Sequence, residues 1–94
     1  MRFIFLSTLL ILISCKAFSN NLALPCYGCH GPEGNSSNGS IPSIAGLNKN
    51  YFIQTFKEYK NKTRENYLMH IIAKGYSEIQ IEKLAIFFSA RKKQ

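Results

Sequence analysis

Cys26-Tyr27-Gly28-Cys29-His30 sets two thiols three residues apart, with an imidazole directly after the second. On a helical turn, residues at i and i+3 share a face, so both sulfurs can bond the two vinyl groups along one porphyrin edge. His30 then points at the iron. A neutral imidazole is a good fifth ligand, and the acceptor of its other ring nitrogen's hydrogen bond fixes its orientation. The stretch reads as a covalent haem c attachment site, with Cys26 and Cys29 as thioethers and His30 as the proximal ligand.

Other chemistries of a Cys-x-x-Cys pair fit less well. A redox dithiol usually sits on a βαβ scaffold, whereas this chain is short and reads as helical. A zinc site needs four ligands. The remaining candidates are Cys15, in a removable leader, and His70, which has no Cys or His partner at ligand spacing. A chance match or a plain structural disulfide is the remaining alternative for the pair.

Met1-Arg2 and the apolar run Phe3 to Ile13 have the form of a secretory signal, with Ala17 and Ser19 as the small residues before cleavage. The run is shorter than the roughly 20 apolar residues a bilayer span needs. The expectation is a signal peptide over residues 1–19 and a periplasmic domain over residues 20–94. A second reading makes Leu12-Ile13-Ser14-Cys15 a lipoprotein processing site, with the chain lipid-anchored at Cys15. Only that reading implies a membrane. Export also bears on the thiols, because an oxidising compartment favours cysteines held in a disulfide, a metal site or a thioether.

The segment after Ser19 is one small domain of about 75 residues, a size at which a hydrophobic core alone barely offsets chain entropy. A bound porphyrin would act as the staple, with Tyr51, Phe52, Phe56, Tyr59, Tyr67, Phe87 and Phe88 expected on or near it. The haem-free chain is expected to be largely unfolded. Formal charge is +7 for the whole sequence. A basic surface can steer docking to acidic partners. The positive residues are spread over three helices and the tail Arg91-Lys92-Lys93 with no nucleic-acid-binding motif, so no nucleic-acid partner is expected.

Pro25 suits the first position of a short helix carrying the two cysteines. Residues 31–46 are rich in Gly, Pro, Ser and Asn and read as an irregular loop. Asn48 can cap a helix over residues 49–60, with Phe52, Thr55, Phe56 and Tyr59 on one stripe. Thr63 is expected to cap a second helix from Arg64 to about Lys74, ended by Gly75 at the position after the cap. Ser77 and Gln80 form a capping-box pattern opening a last helix, in which Ile81, Leu84, Ala85 and Phe88 recur at helical spacing. No strand pattern appears, and the fold is expected to be all-α.

Haem iron with one protein ligand binds gases; with two it carries electrons. Beyond the leader, Met69 and His70 are the candidates for the sixth position. They are neighbours on a helix, about 100° apart, so one backbone pose cannot aim both at the same iron. A lone Met in a helix is ordinarily core filling. The apolar setting Tyr67-Leu68-Met69 before Ile71-Ile72-Ala73 nevertheless favours Met69 as distal ligand, with His70 partly exposed beside it.

Cys-Tyr-Gly-Cys-His with Gly31, the run Ile41-Pro42-Ser43-Ile44-Ala45-Gly46-Leu47 and Met69 resembles a small class I cytochrome c. Tyr51-Phe52-Ile53 with Phe56, and Met69 followed by Ile72-Ala73-Lys74-Gly75-Tyr76-Ser77, then Ile81, Leu84-Ala85 and Phe88, resemble more narrowly the haem subunit of flavocytochrome c sulfide dehydrogenase. The resemblance implies three to four short helices around one covalent haem, with His30 and Met69 as iron ligands. It also implies that the carbonyl of Pro42 accepts a hydrogen bond from His30. The family's first helix normally crosses its last. Cleavage after Ser19 leaves six residues before Cys26, so either that helix is vestigial or earlier processing lets Lys16 to Leu24 supply it.

The function expected is single-electron transfer in the periplasm, with no bond chemistry by this chain and hence no enzyme activity of its own. By the resemblance, a sulfide-oxidising flavoprotein is the electron donor and a downstream cytochrome or oxidase the acceptor. A free shuttle to a terminal oxidase shares every residue named. A five-coordinate gas-binding cytochrome keeps His30 and leaves the other face of the iron open.

Overall fold

The computed structural model describes residues 22–94. The expected signal peptide, the expected processing sites at Cys15 and Ser19 and most of the segment suggested to complete a first helix lie outside the described residues. Within them the architecture is helical, with no strand: α1 (Leu24–His30), a 3-10 turn (Pro32–Gly34), α2 (Lys49–Lys60), α3 (Tyr67–Lys74) and α4 (Glu78–Ser89).

Each later helix starts where a side-chain oxygen can satisfy the unpaired amides of its first turn. Asn48 accepts from the amides of Asn50 and Tyr51 at 2.9 and 3.1 Å. Ser77 and Gln80 form the complete reciprocal box, at 3.2 and 2.9 Å. The third helix departs from the sequence expectation. It is capped by Asn66, not Thr63, and runs from Tyr67. Thr63 turns its hydroxyl and its amide to the Asn61 side chain, and the Arg64 amide donates to the carbonyl of Glu58. Those bonds hold residues 61–66 as a loop. Gly75 closes α3 in a right-handed conformation (φ −79°), so its freedom to adopt positive φ is not used there. The first helix opens at Leu24, one residue before Pro25.

The core joins α2 and α4. Phe52 lies 5.7 Å from Phe56 and 5.8 Å from Phe88, ring centre to ring centre, both pairs stacked. Ile81, Leu84, Ala85 and Phe88 are fully buried along α4. Burying side chains of this size stabilises by roughly 1.5–3 kcal/mol each. Lys49–Glu82 and Lys57–Glu78, each at 3.8 Å, bridge the solvent side of the same seam.

The first helix is fastened to this core from both ends. Tyr27 meets Phe88 edge-on at 6.4 Å, Ala23 is buried, and the Tyr76 hydroxyl donates to the carbonyl of Leu22 at 3.1 Å. Lys60 holds the Tyr76 backbone carbonyl in turn.

The glycine-rich stretch is a pinned wall. The carbonyl of Gly34 accepts from the amides of Ile44 and Ala45 at 2.8 and 3.1 Å, and the Gly46 amide donates to the carbonyl of Phe88 at 2.8 Å. Asn35 clasps the C-terminal residues, donating to the carbonyl of Lys92 and accepting from the amide of Gln94, both at 3.0 Å.

Candidate functional site

A cavity of about 410 Å³ opens between α1, the pinned loop, α2 and α3. Cys26, Cys29, His30, Pro42 and Met69 all line it. Three chain segments, spread over more than forty residues of sequence, thus bring the five residues singled out from the motif and the resemblance to one place.

His30 ends α1, so its ring swings toward the loop. Its Nδ1 lies 2.7 Å from the carbonyl oxygen of Pro42. A carbonyl can only accept, so Nδ1 carries the proton and the Nε2 lone pair is left to bind a metal. Two prolines frame this arrangement, because Pro25 rigidifies the first turn of α1 and Pro42 lacks an amide that would compete for acceptors.

Both thiols on the facing turn are free. Cys29 is exposed, whereas Cys26 is half-buried among Ala23, Tyr27 and the core rings. Burial pushes the Cys26 thiol up, against the opposing effect of a backbone hydrogen bond, and keeps it as S–H at neutral pH. Among the described residues, no three His, Cys, Asp or Glu side chains gather to hold a bare metal ion. The zinc reading therefore lacks its ligand set among those residues.

From α3, Met69 lines the same cavity, together with Leu68 and Ile72. His70 turns the other way: its Nδ1 lies 2.9 Å from the carbonyl of Tyr59, and it does not reach the cavity. The helical offset between neighbours separates the two candidates as the geometry of a helix requires.

The walls are mostly apolar. Tyr51, Phe52, Phe56 and Tyr59 line the cavity as expected, but Tyr67, Phe87 and Phe88 do not. Tyr67 is 81% exposed on the outer side of α3, Phe87 lies against the Arg91 guanidinium at 4.3 Å, and Phe88 sits in the core behind Phe52. Counting aromatics identified hydrophobic mass without its direction.

Two polar residues at the rim were not foreseen. Arg64 reaches the cavity edge while paired with Glu58 at 3.0 Å and lying 5.7 Å from the centre of the Tyr59 ring. Asn66 both lines the cavity and caps α3 through the Met69 amide, at 2.9 Å. The Asn66 signal was present in the sequence as a good capping residue three positions before Met69.

The donors fit an iron porphyrin. A free imidazole nitrogen on one wall, a thioether on another, two thiols on an adjoining helical turn and apolar sides between them are the chemistry such a group requires.

Comparison with known proteins finds cytochromes. The chain is 42% identical over 67 residues to the cytochrome subunit of sulfide dehydrogenase from Chlorobaculum tepidum, covering 71% of this chain and 60% of that protein. It is 37% identical over 75 residues to cytochrome c-552 of Acidithiobacillus ferridurans, covering 80% of this chain and 32% of that one. The solved structure of Acidithiobacillus ferrooxidans cytochrome c4 superposes with a TM-score of 0.66 at 37% identity, over 69% of this chain and 37% of the other. This chain therefore spans less than two thirds of the length of each. No protein-family model matches it.

Proposed function

We propose that the chain is a class I cytochrome c and a monohaem electron carrier of the periplasm, serving as the haem subunit that takes single electrons from a sulfide-oxidising flavoprotein. The observation that carries the electron-transfer reading is the placement of His30 and Met69 on one apolar cavity. An imidazole and a thioether would together fill both axial positions of a haem iron, the donor set of an electron carrier.

When bound, the haem supplies a centre that accepts and releases one electron. The residues of the chain do the rest. Cys26 and Cys29, both on the cavity, would hold the group through thioether bonds. His30 donates its Nδ1 proton to Pro42, which orients the ring and raises the basicity of Nε2. Met69 would offer its thioether as the second donor, one that favours ferrous iron and raises the potential relative to a second imidazole. Phe52, Phe56 and Ile72 exclude water. The function requires no general base and no nucleophile from this chain.

The sulfide-oxidising partner is supported by the named relative with 42% identity. Residues 1–19 support the periplasmic location. The test is purification of the native protein under mild conditions. A flavin-bearing polypeptide should co-purify, and sulfide should reduce the cytochrome only while that partner is present. A free monomer reduced equally well by unrelated donors, and reoxidised by a terminal oxidase, would instead identify a diffusing shuttle.

A further inference from the structure

The helix carrying Met69 is only two turns long, and Ala73 is its one fully buried residue. A helix of that length has little stability of its own, and with so small a buried anchor its rotation about its axis is poorly fixed by packing. A turn of some tens of degrees would carry Met69 off the cavity. Two polar contacts, one on each side of Met69, oppose that rotation. Asn66 Oδ1 accepts the Met69 amide at 2.9 Å, and His70 Nδ1 donates to the carbonyl of Tyr59 at 2.9 Å, tying α3 to the end of α2. The loop before Asn66 is itself fixed, because the Arg64 amide donates to the carbonyl of Glu58 at 3.1 Å and the Arg64 side chain grips the Glu58 carboxylate.

We propose that Asn66 and His70 are the positioning residues of the distal ligand: together they clamp α3 in the one rotation that keeps the Met69 sulfur on the cavity. Neither supplies an atom to the iron. The inference rests on Met69 being that ligand and adds how it is held there. It also gives His70 a purpose that its sequence neighbourhood did not suggest, as the bolt beside the ligand.

Competition by imidazole tests the clamp on the full-length ferric holoprotein, matured in a cell that makes c-type cytochromes. Imidazole must displace Met69 to bind, so its affinity reads how firmly the thioether is held. Asn66→Ala and His70→Leu should each tighten imidazole binding about fivefold, the equilibrium worth of one capping bond. Each should also weaken the red sulfur-to-iron absorbance. Asn66→Ser, which keeps a capping oxygen, should stay within about twofold of the parent. Ser77→Ala removes the cap of α4, which does not reach the cavity, and should lower the unfolding midpoint without changing imidazole affinity. Parent-like affinity in either Asn66→Ala or His70→Leu, or an equal tightening in Ser77→Ala, would overturn the clamp. Met69→Ala separates the two claims: if its spectrum and imidazole affinity match the parent, Met69 is not the distal ligand at all.

Discussion

The imidazole of His30 and the carbonyl of Pro42 stand 2.7 Å apart, although they lie twelve positions apart along a glycine- and serine-rich stretch. That bond joins the attachment helix to the loop. It depends on a backbone oxygen, so the identity of the residue supplying it matters less than the path of the chain. Pro42→Ala should therefore preserve the His30 Nδ1 proton, visible as a slowly exchanging downfield resonance in the reduced protein. Stability should fall by less than about 1 kcal/mol, the entropic effect of releasing a proline. Loss of that resonance would show that the ring of Pro42, and not its carbonyl, sets the contact.

Gly31 governs whether the chain can make this turn. Its φ is 87°, and a Cβ there would lie 1.9 Å from the carbonyl oxygen of Asn35. Gly31→Ala cannot be relieved by moving a flexible side chain, because the obstacle is backbone. The variant should accumulate little or no haem-loaded protein, measured by haem staining on a denaturing gel. Normal accumulation would contradict the tight turn after His30.

Phe88 links three parts of the molecule, touching Phe52 on α2, Tyr27 on α1 and Phe87 on its own helix. It is fully buried. Truncation of such a ring costs about 3–5 kcal/mol. A domain of this size has little more than that to lose, so Phe88→Ala should be largely unfolded at 37 °C by circular dichroism. Phe88→Leu should remain folded with a lowered unfolding midpoint.

The Tyr76 hydroxyl ties the entry to α1 through Leu22. Burial pushes its phenol above the ordinary tyrosine value. A raised folded-state value means this contribution is complete below the unfolded phenol's pKa and fades as pH rises through the folded one. Tyr76→Phe should cost about 0.5–1.5 kcal/mol at pH 7, with the gap to the parent closing in the alkaline range above about pH 10. Denaturant melts at both pH values measure it. A gap that widens with pH would reverse the sign of the argument.

Much of the site was legible because covalent and coordination chemistry leave few choices of residue. Cys26, Cys29 and His30 could be found from spacing, and the α2 and α4 starts from Asn48 and Ser77, whose side chains act on amides two or three residues away. The start of α3 was misplaced for the converse reason. Thr63 is a good capping residue, but Asn61 captures it and Glu58 captures the next amide, contacts that only the assembled loop brings together. Tyr67 and Phe87 were expected near the cavity because they are aromatic; the rotation of their helices turned them away. The opposite orientations of Met69 and His70 could be anticipated, since neighbours on a helix must diverge. The use of His70 as a tether to Tyr59 could not, because its acceptor is a backbone carbonyl on another helix.

The most direct test of the central claim is the mass of the denatured polypeptide purified from a cell that assembles c-type cytochromes. The account predicts a red protein whose mass exceeds that of the processed chain by one haem, with the increment lost in a Cys26→Ala/Cys29→Ala variant. A colourless protein at the bare polypeptide mass, from a cell that loads other cytochromes of this class, would contradict it.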